Sequence, residues 1–330
     1  MGAERIAVLG AGRMGCGIAQ VFCASGHPVA LHDASPEALA KAPATIRDHG
    51  DLLGQDAATM AELVCTADFA AAVRGASVVI EAVPERLALK REVFARLEAS
   101  AGPDALLATN TSAIPIGAIA EGLGRPGRVL GMHFWNPPHL VPLVEVVQGP
   151  RSDASAIARA MNLLESVGMS PVHVKRDVPG FIGNRLQHAL KREAIALVAA
   201  GVCDAATLDR VVKDGFGARL SVLGPLEQSD MVGLDLTLAI HEVLIADLDR
   251  TPGPHPYLRA RVAAGETGMA ASRGFRAWTP EEAAEVKSRL DRHLVATARE
   301  RLRHRGTGAS IGTGTNQRTE TQRGIRGGTT

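Results

Sequence analysis

An alternation in the first half of the chain most constrains its fold. Short continuous apolar runs at Ile6–Leu9, Val29–His32, 76–81 and 105–108 are separated by stretches with apolar residues at helical spacing, among them 14–24 and 87–99. A run that is apolar at every position suits a strand covered on both faces, as in a parallel sheet. Parallel neighbours need a crossover, which the helical stretches supply. The unit is therefore βαβ, and the expected class is a doubly wound α/β sheet.

The first run leads into Gly10-Ala11-Gly12-Arg13-Met14-Gly15, a G-x-G-x-x-G. Placed after a strand and opening a helix, this is the dinucleotide-binding pattern of a Rossmann-type sheet. Gly10 permits the tight turn, Gly12 lets the backbone approach a pyrophosphate, and Gly15 lets helix and strand pack closely. The helix N-terminus would face the phosphates with free N–H groups. Asp33 closes the second strand 23 residues after Gly10, near the offset of the acid that holds the ribose hydroxyls. Its carboxylate would repel a 2′-phosphate, and Ala34-Ser35-Pro36 bring no cation to receive one. The expected cofactor is NAD.

Beyond Arg128 the pattern changes. Val129–Phe134 and Leu143–Val147 read as strands joined through the turn signal Asn136-Pro137-Pro138. A hairpin centred near His139 would set His133 opposite Glu145. A helix is expected over 152–167 and a last strand over 171–174. From Pro179 the chain reads as helical: one long helix to Ala200 closed by Gly201, one capped by Asp204, then 226–247, 257–264 and 279–303. The last opens on Thr279-Pro280-Glu281-Glu282, which has the form of a capping box. These readings divide the chain into an NAD-binding Rossmann-type domain at 1–177 and an all-helical substrate and dimerisation domain at 178–305. A Gly-, Thr- and Arg-rich tail at 306–330 has too little apolar surface to offset its ordering entropy and is expected to be disordered.

Composition removes several function classes. A formal net charge of +1 and 3% aromatic residues give neither the field nor the stacking surface for nucleic acid. No apolar run approaches the about 18 residues of a membrane span, and no signal peptide opens the chain. Four cysteines occur, none in a C-x-x-C pair, so neither a metal nor a redox motif is expected and a reducing, cytoplasmic location is.

The series Gly10 to Gly15, Glu81-Ala82-Val83-Pro84-Glu85 with Lys90, Asn110-Thr111-Ser112, His133-Phe134-Trp135-Asn136-Pro137, Leu143-Val144-Glu145-Val146 and Asp177 through Arg185 resembles the L-3-hydroxyacyl-CoA dehydrogenase family over roughly residues 5 to 300. Oxidising a secondary alcohol by hydride transfer requires a base for the hydroxyl proton. A lone histidine among eleven is ordinarily a packed core residue, but the Glu145 partner and the neighbouring turn single out His133 as that base. The other ten histidines are left as structural. The resemblance implies that Ser112 and Asn184 bind the substrate oxygen. It also implies that Met14, Glu85, Lys90, Asn110 and Asn136 join Gly10, Gly12, Gly15 and Asp33 at the cofactor, and that the molecule is a homodimer. A non-catalytic NAD-binding or structural protein on this scaffold is the rival. The 3-hydroxyisobutyrate type of dehydrogenase relies on a helix lysine where Asn184 and Arg185 stand, and does not match.

Two stretches bear on the substrate. The CoA-dependent members resemble one another in a lysine-rich helix after the second strand, whereas 37–54 here has Lys41 and Arg47 against Asp48 and Asp51. The stretch from Gly215 to Pro225 resembles the family's free-acid branch, which has a cation at Arg219. The residues alone leave Arg219 open between a carboxylate anchor and a surface or helix-capping group. The expectation is oxidation of the 3-hydroxyl of a small hydroxy acid, with a 3-hydroxyacyl-CoA thioester of fatty-acid metabolism as the alternative.

Overall fold

A computed structural model describes residues 2–306 apart from 57 and 59. The N-terminal half alternates as expected: β1 (Ile6–Leu9), α1 (Arg13–Ala24), β2 (Val29–His32), α2 (Pro36–Leu53), β3 (Leu63–Thr66), α3 (Phe69–Val73), β4 (Val78–Glu81), α4 (Leu87–Ser100), β5 (Leu106–Thr109), α5 (Ile116–Ile119), β6 (Val129–Phe134), β7 (Leu143–Val147), α6 (Ala154–Ser166) and β8 (Ser170–Val174). One sheet runs β3-β2-β1-β4-β5-β6-β7-β8. All neighbours are parallel except β6 and β7.

The sheet divides its core by the two-residue period of a strand. Ile6 and Val8 face one apolar cluster with Ile18, Phe22 and Leu31. Ala7 and Leu9 face the other with Phe94 and Leu97. Strand β3 is absent from the expectations above. It is an edge strand, only partly buried and with an exposed Val64, so it lacks the continuous burial that marks the others.

Six further helices follow: α7 (Gly183–Ala199), α8 (Ala205–Asp214), α9 (Pro225–Val232), α10 (Leu234–Leu244), α11 (Pro256–Ala263) and α12 (Pro280–Gly306). Asp204 caps α8 by accepting from Thr207 N, and Thr279 and Glu282 form the reciprocal cap before α12. Two expectations are corrected. The long helix does not open at Pro179, because Gly180 and Phe181 take positive φ angles of 77° and 50° and make a turn first. The helix expected over 226–247 is two helices, broken at Gly233, whose φ of 102° no helix accommodates. The expected tail lies outside the described residues except for Gly306, which ends α12.

No residue of α7 to α11 is buried, although these helices bear many large apolar side chains. Helix α12 instead returns to the sheet domain. Its Ala298 joins Leu53 and Leu140 in a small core, and its Arg299 Nε donates to the Leu52 carbonyl at 3.0 Å. Among the described residues no helix is long and apolar enough to cross a membrane.

Candidate active site

The turn between β1 and α1 has the shape its glycines require. Gly10 sits at φ 108°, and a Cβ there would lie 2.6 Å from the Ala82 carbonyl oxygen. A Cβ on Gly15 would lie 1.7 Å from the Gly10 oxygen, so Gly15 lets the helix pack against the turn itself. A Cβ on Gly12, by contrast, would meet nothing within 4 Å. Gly12 caps α1 without a side-chain hydrogen bond. The space beside it and the N–H groups behind it are those a pyrophosphate needs. Asp33 follows β2 directly. One of its oxygens accepts from Ala11 N at 2.7 Å, so the acid suited to the ribose also braces the glycine turn.

Two strands on, the β4 and β5 ends hold a buried network. Lys90 Nζ donates to Glu81 Oε1 at 2.7 Å and lies 3.3 Å from Glu85 Oε2. Lys90 is 1% exposed and therefore sits behind Glu85, not on the crevice surface as a direct cofactor contact would. Glu85 Oε1 accepts from Thr111 Oγ1 at 2.5 Å and from the amides of Ser112 and Ala113. Burial pushes the Glu85 carboxyl upward. The Thr111 bond, the Lys90 charge and the two amides outweigh that and hold it below the usual carboxylate range. Asn110 Oδ1 accepts from Phe134 N at 2.8 Å, tying β5 to β6. Ser112 lies in the loop three residues past Thr109, exposed to the crevice.

The hairpin of β6 and β7 pairs His133 with Glu145 across the ladder, the register expected from the turn. His133 Nδ1 stands 2.8 Å from Glu145 Oε2, with both residues buried. Glu145 Oε1 accepts from the amides of Ile182 and Gly183 at 2.9 and 3.0 Å. Burial raises the Glu145 carboxyl, but these bonds from His133, Gly183 and Ile182 prevail and keep it ionised. A carboxylate only accepts, so the proton of the neutral imidazole resides on Nδ1, and Nε2 has the free lone pair.

Sequence reasoning gave no role to the two rings flanking that imidazole. Trp135 lies 5.7 Å and Phe181 5.6 Å from it, centroid to centroid. Gly183 makes room for Trp135, since a Cβ there would fall 2.3 Å from its ring. Both aromatic residues stand inside the motifs quoted above. Only the folded turn at Gly180-Phe181 shows that they wall the histidine.

A cleft of about 1190 Å³ opens over His133. Met14, Asn110, Ser112, Asn136 and Asn184 line it, so five further expected residues converge there. Asn184 Nδ2 donates to the Ser112 carbonyl at 3.2 Å, bridging α7 to the β5 loop. Arg219 is not among the residues that line this cleft. Among the described residues nothing between Ile195 and Thr251 lines the cleft. Arg219 ends a turn, Phe216–Arg219, that folds back on α8. Gly215 and Gly217 permit that approach, since a Cβ on either would lie 2.4 Å from a carbonyl oxygen of α8.

Comparison with known proteins shows the family. Residues 5–178 match the family described as "3-hydroxyacyl-CoA dehydrogenase, NAD binding domain", and residues 180–278 its C-terminal domain. The chain is 35% identical over 301 residues to 5-formyl-3-hydroxy-2-methylpyridine 4-carboxylate 5-dehydrogenase of Mesorhizobium japonicum, covering 90% of this chain and 97% of the relative. A solved structure of a 5-dehydrogenase of that substrate, described as an NAD+-dependent dismutase, superposes with a TM-score of 0.84 at 35% identity over 91% of this chain and 99% of the other. A probable 3-hydroxybutyryl-CoA dehydrogenase of Bacillus subtilis is 37% identical over 82% of this chain and 96% of its own length. An L-carnitine dehydrogenase of Streptomyces griseus is 38% identical over 68% of each chain.

Proposed function

The chain belongs to the 3-hydroxyacyl-CoA dehydrogenase family and is an NAD-dependent dehydrogenase, and on that premise we propose that it oxidises the 3-hydroxyl of a small free hydroxy acid with His133 as general base. The observation that carries the reading is the buried His133–Glu145 pair at the floor of the cleft. His133 Nε2 takes the hydroxyl proton as the carbon–oxygen bond becomes a carbonyl. Glu145 fixes the tautomer beforehand and stabilises the imidazolium that results. Ser112 and Asn184, joined by their own hydrogen bond, hold the reacting oxygen. NAD, when bound, supplies the acceptor for the hydride leaving the same carbon. The glycine turn with Met14, Asp33, Glu85, Asn110 and Asn136 would hold it, and Lys90 would steady Glu85 from behind.

The free-acid reading is supported by helix α2, where Lys41 and Arg47 are mixed with Glu37, Asp48 and Asp51, a poor charge pattern for phosphates. Relatives acting on carnitine and on a pyridine carboxylate support it too. A domain division at 177–178 suits the change from sheet to helices, and two copies would pair through α9 and α10. All four cysteines are unpaired, which suits a reducing compartment, and we place the enzyme in the cytoplasm.

The test follows NADH absorbance with 3-hydroxybutyrate, carnitine and 3-hydroxybutyryl-CoA, for wild type and His133→Asn. Turnover of a free acid, lost in the variant by about 10²- to 10⁴-fold, is expected. Efficient turnover of the thioester alone would transfer the function to acyl-CoA oxidation. Equal, background rates for both proteins would favour a binding protein.

A further inference from the structure

One face of α7 forms a wall of the cleft, through Asn184, Arg185, His188, Lys191 and Arg192. Their spacing of three and four residues keeps them on one side of the helix. Three are permanent cations. Among the described residues lining the cleft there is no aspartate or glutamate. His188 and Lys191 have no side-chain partner among the described residues. Arg192 has only a loose one, with its Nε 3.7 Å from Asp249 Oδ2. Glu193, next along the helix, does not enter the cleft and accepts from Asp249 N at 2.8 Å instead.

Cations gathered in one concave wall repel one another and focus a positive potential on whatever enters. A solvated helix face would mix signs, as α2 does with Glu37, Lys41, Arg47 and Asp48. The geometry also sets a direction. Asn184 marks the reacting end by its bond to Ser112. Lys191 and Arg192 lie about two turns, roughly 10 to 12 Å, further along the axis. Long helical side chains lean back toward the helix N-terminus, here toward Asn184.

We propose that α7 is the acid-recognition element of this enzyme: Lys191 and Arg192, with His188 one turn nearer, hold the substrate carboxylate while Ser112 and Asn184 hold its hydroxyl. This deepens the free-acid reading and rests on it. It gives to α7 the role that Arg219 was expected to fill. The carboxylate of a 3-hydroxy acid stands two bonds from its carbinol, so Lys191 and Arg192 meet it by reaching back along the helix toward Asn184. A thioester has no charge at that carbon and would leave the cations unmatched.

The experiment compares 3-hydroxybutyrate with its neutral methyl ester in wild type, Lys191→Gln/Arg192→Gln and His188→Gln. In the double variant KM for the acid should rise roughly tenfold or more beyond any change for the ester, with kcat nearly kept. Equal effects on acid and ester, or no effect on the acid, would overturn the proposal. If wild type oxidises neither compound, the hydroxy-acid reading fails by itself. The helix is then tested by titrating glutarate into the NADH-loaded protein in a calorimeter. Binding that the double variant loses supports the strip, and absent or unchanged binding overturns it. The substituted side chains are exposed, and unchanged thermal melts would show that the fold is intact.

Discussion

Glu145 joins His133 on β6 to the first turn of α7: one carboxylate oxygen meets the imidazole Nδ1 at 2.8 Å, and the other takes the amides of Ile182 and Gly183. His133 in the sheet domain and the start of α7 are thus fixed by one side chain. Glutamine cannot serve both sides. Its NH2 group must face either Nδ1, reversing the tautomer, or the two amides, which are themselves donors. Glu145→Gln should lower kcat by about 10²-fold or more while leaving NADH affinity, measured by fluorescence titration, close to wild type. An unchanged kcat would remove Glu145 from the mechanism.

Lys90 is expected to act through stability. Its ammonium answers the fully buried Glu81, whose other oxygen accepts from Thr109 Oγ1 at 2.7 Å. Lys90→Met leaves that carboxylate buried beside no cation, a loss of about 3 to 5 kcal/mol. A thermal melt and a urea titration would read it. A variant as stable as wild type with weakened NAD binding would instead make Lys90 a direct cofactor contact.

A histidine pair sets a pH limit on the fold. His49 of α2 and His139 of the hairpin loop stack with ring centroids 3.7 Å apart. Burial, and then the neighbouring His49, push His139 down to about 4, and burial also lowers His49 against the opposing pull of Asp48. The unfolded chain binds the His139 proton at its ordinary value near 6.5, and the folded chain resists it to about 4. Stability from this group is therefore complete above pH 6.5 and falls as pH drops toward 4, by up to about 1.4 kcal/mol per unit. Urea midpoints at pH 7.5 and 5.0 should diverge less in His139→Phe, which stacks without titrating. Equal divergence in variant and wild type would exclude the pair as the cause.

Association should depend on the apolar faces of α9 and α10. Leu226, Leu234, Leu238 and Val243 are 79%, 63%, 60% and 82% exposed in the single chain, more apolar surface than a monomer keeps in water. A second copy offers the same faces, so a two-fold pair can cover both. Light scattering should give twice the chain mass of 34.5 kDa, and Leu238→Glu should halve it. A monodisperse wild-type monomer would refute this.

Much of the site was readable before folding because its determinants are local. The glycine turn needs only neighbouring residues to define its shape. The offset to Asp33 spans one crossover. His133 and Glu145 are equidistant from a turn, and an antiparallel ladder converts that symmetry into contact. Where reading failed, the determinants were distant or conformational. Edge strand β3 has no burial pattern of its own. Gly233 breaks a helix through a φ angle that its apolar surroundings did not signal. Lys90, a cofactor contact by resemblance, is drawn behind Glu85 by its buried bond to Glu81, which only the packing of α4 on β4 creates.

The sequence by itself determined the βαβ alternation, the cofactor turn and the facing of His133 and Glu145. Each follows from a period, a backbone constraint or a count across a turn. Only the tertiary structure decided which cations line the cleft. Arg219 and Arg192 are alike as residues, and both stand in helical segments. A turn folded on α8 keeps the first out of the cleft, while the phase of α7 against the sheet domain brings the second in. That phase is set by long-range packing, through Glu145 and Trp135 against the start of α7, and no local pattern encodes it.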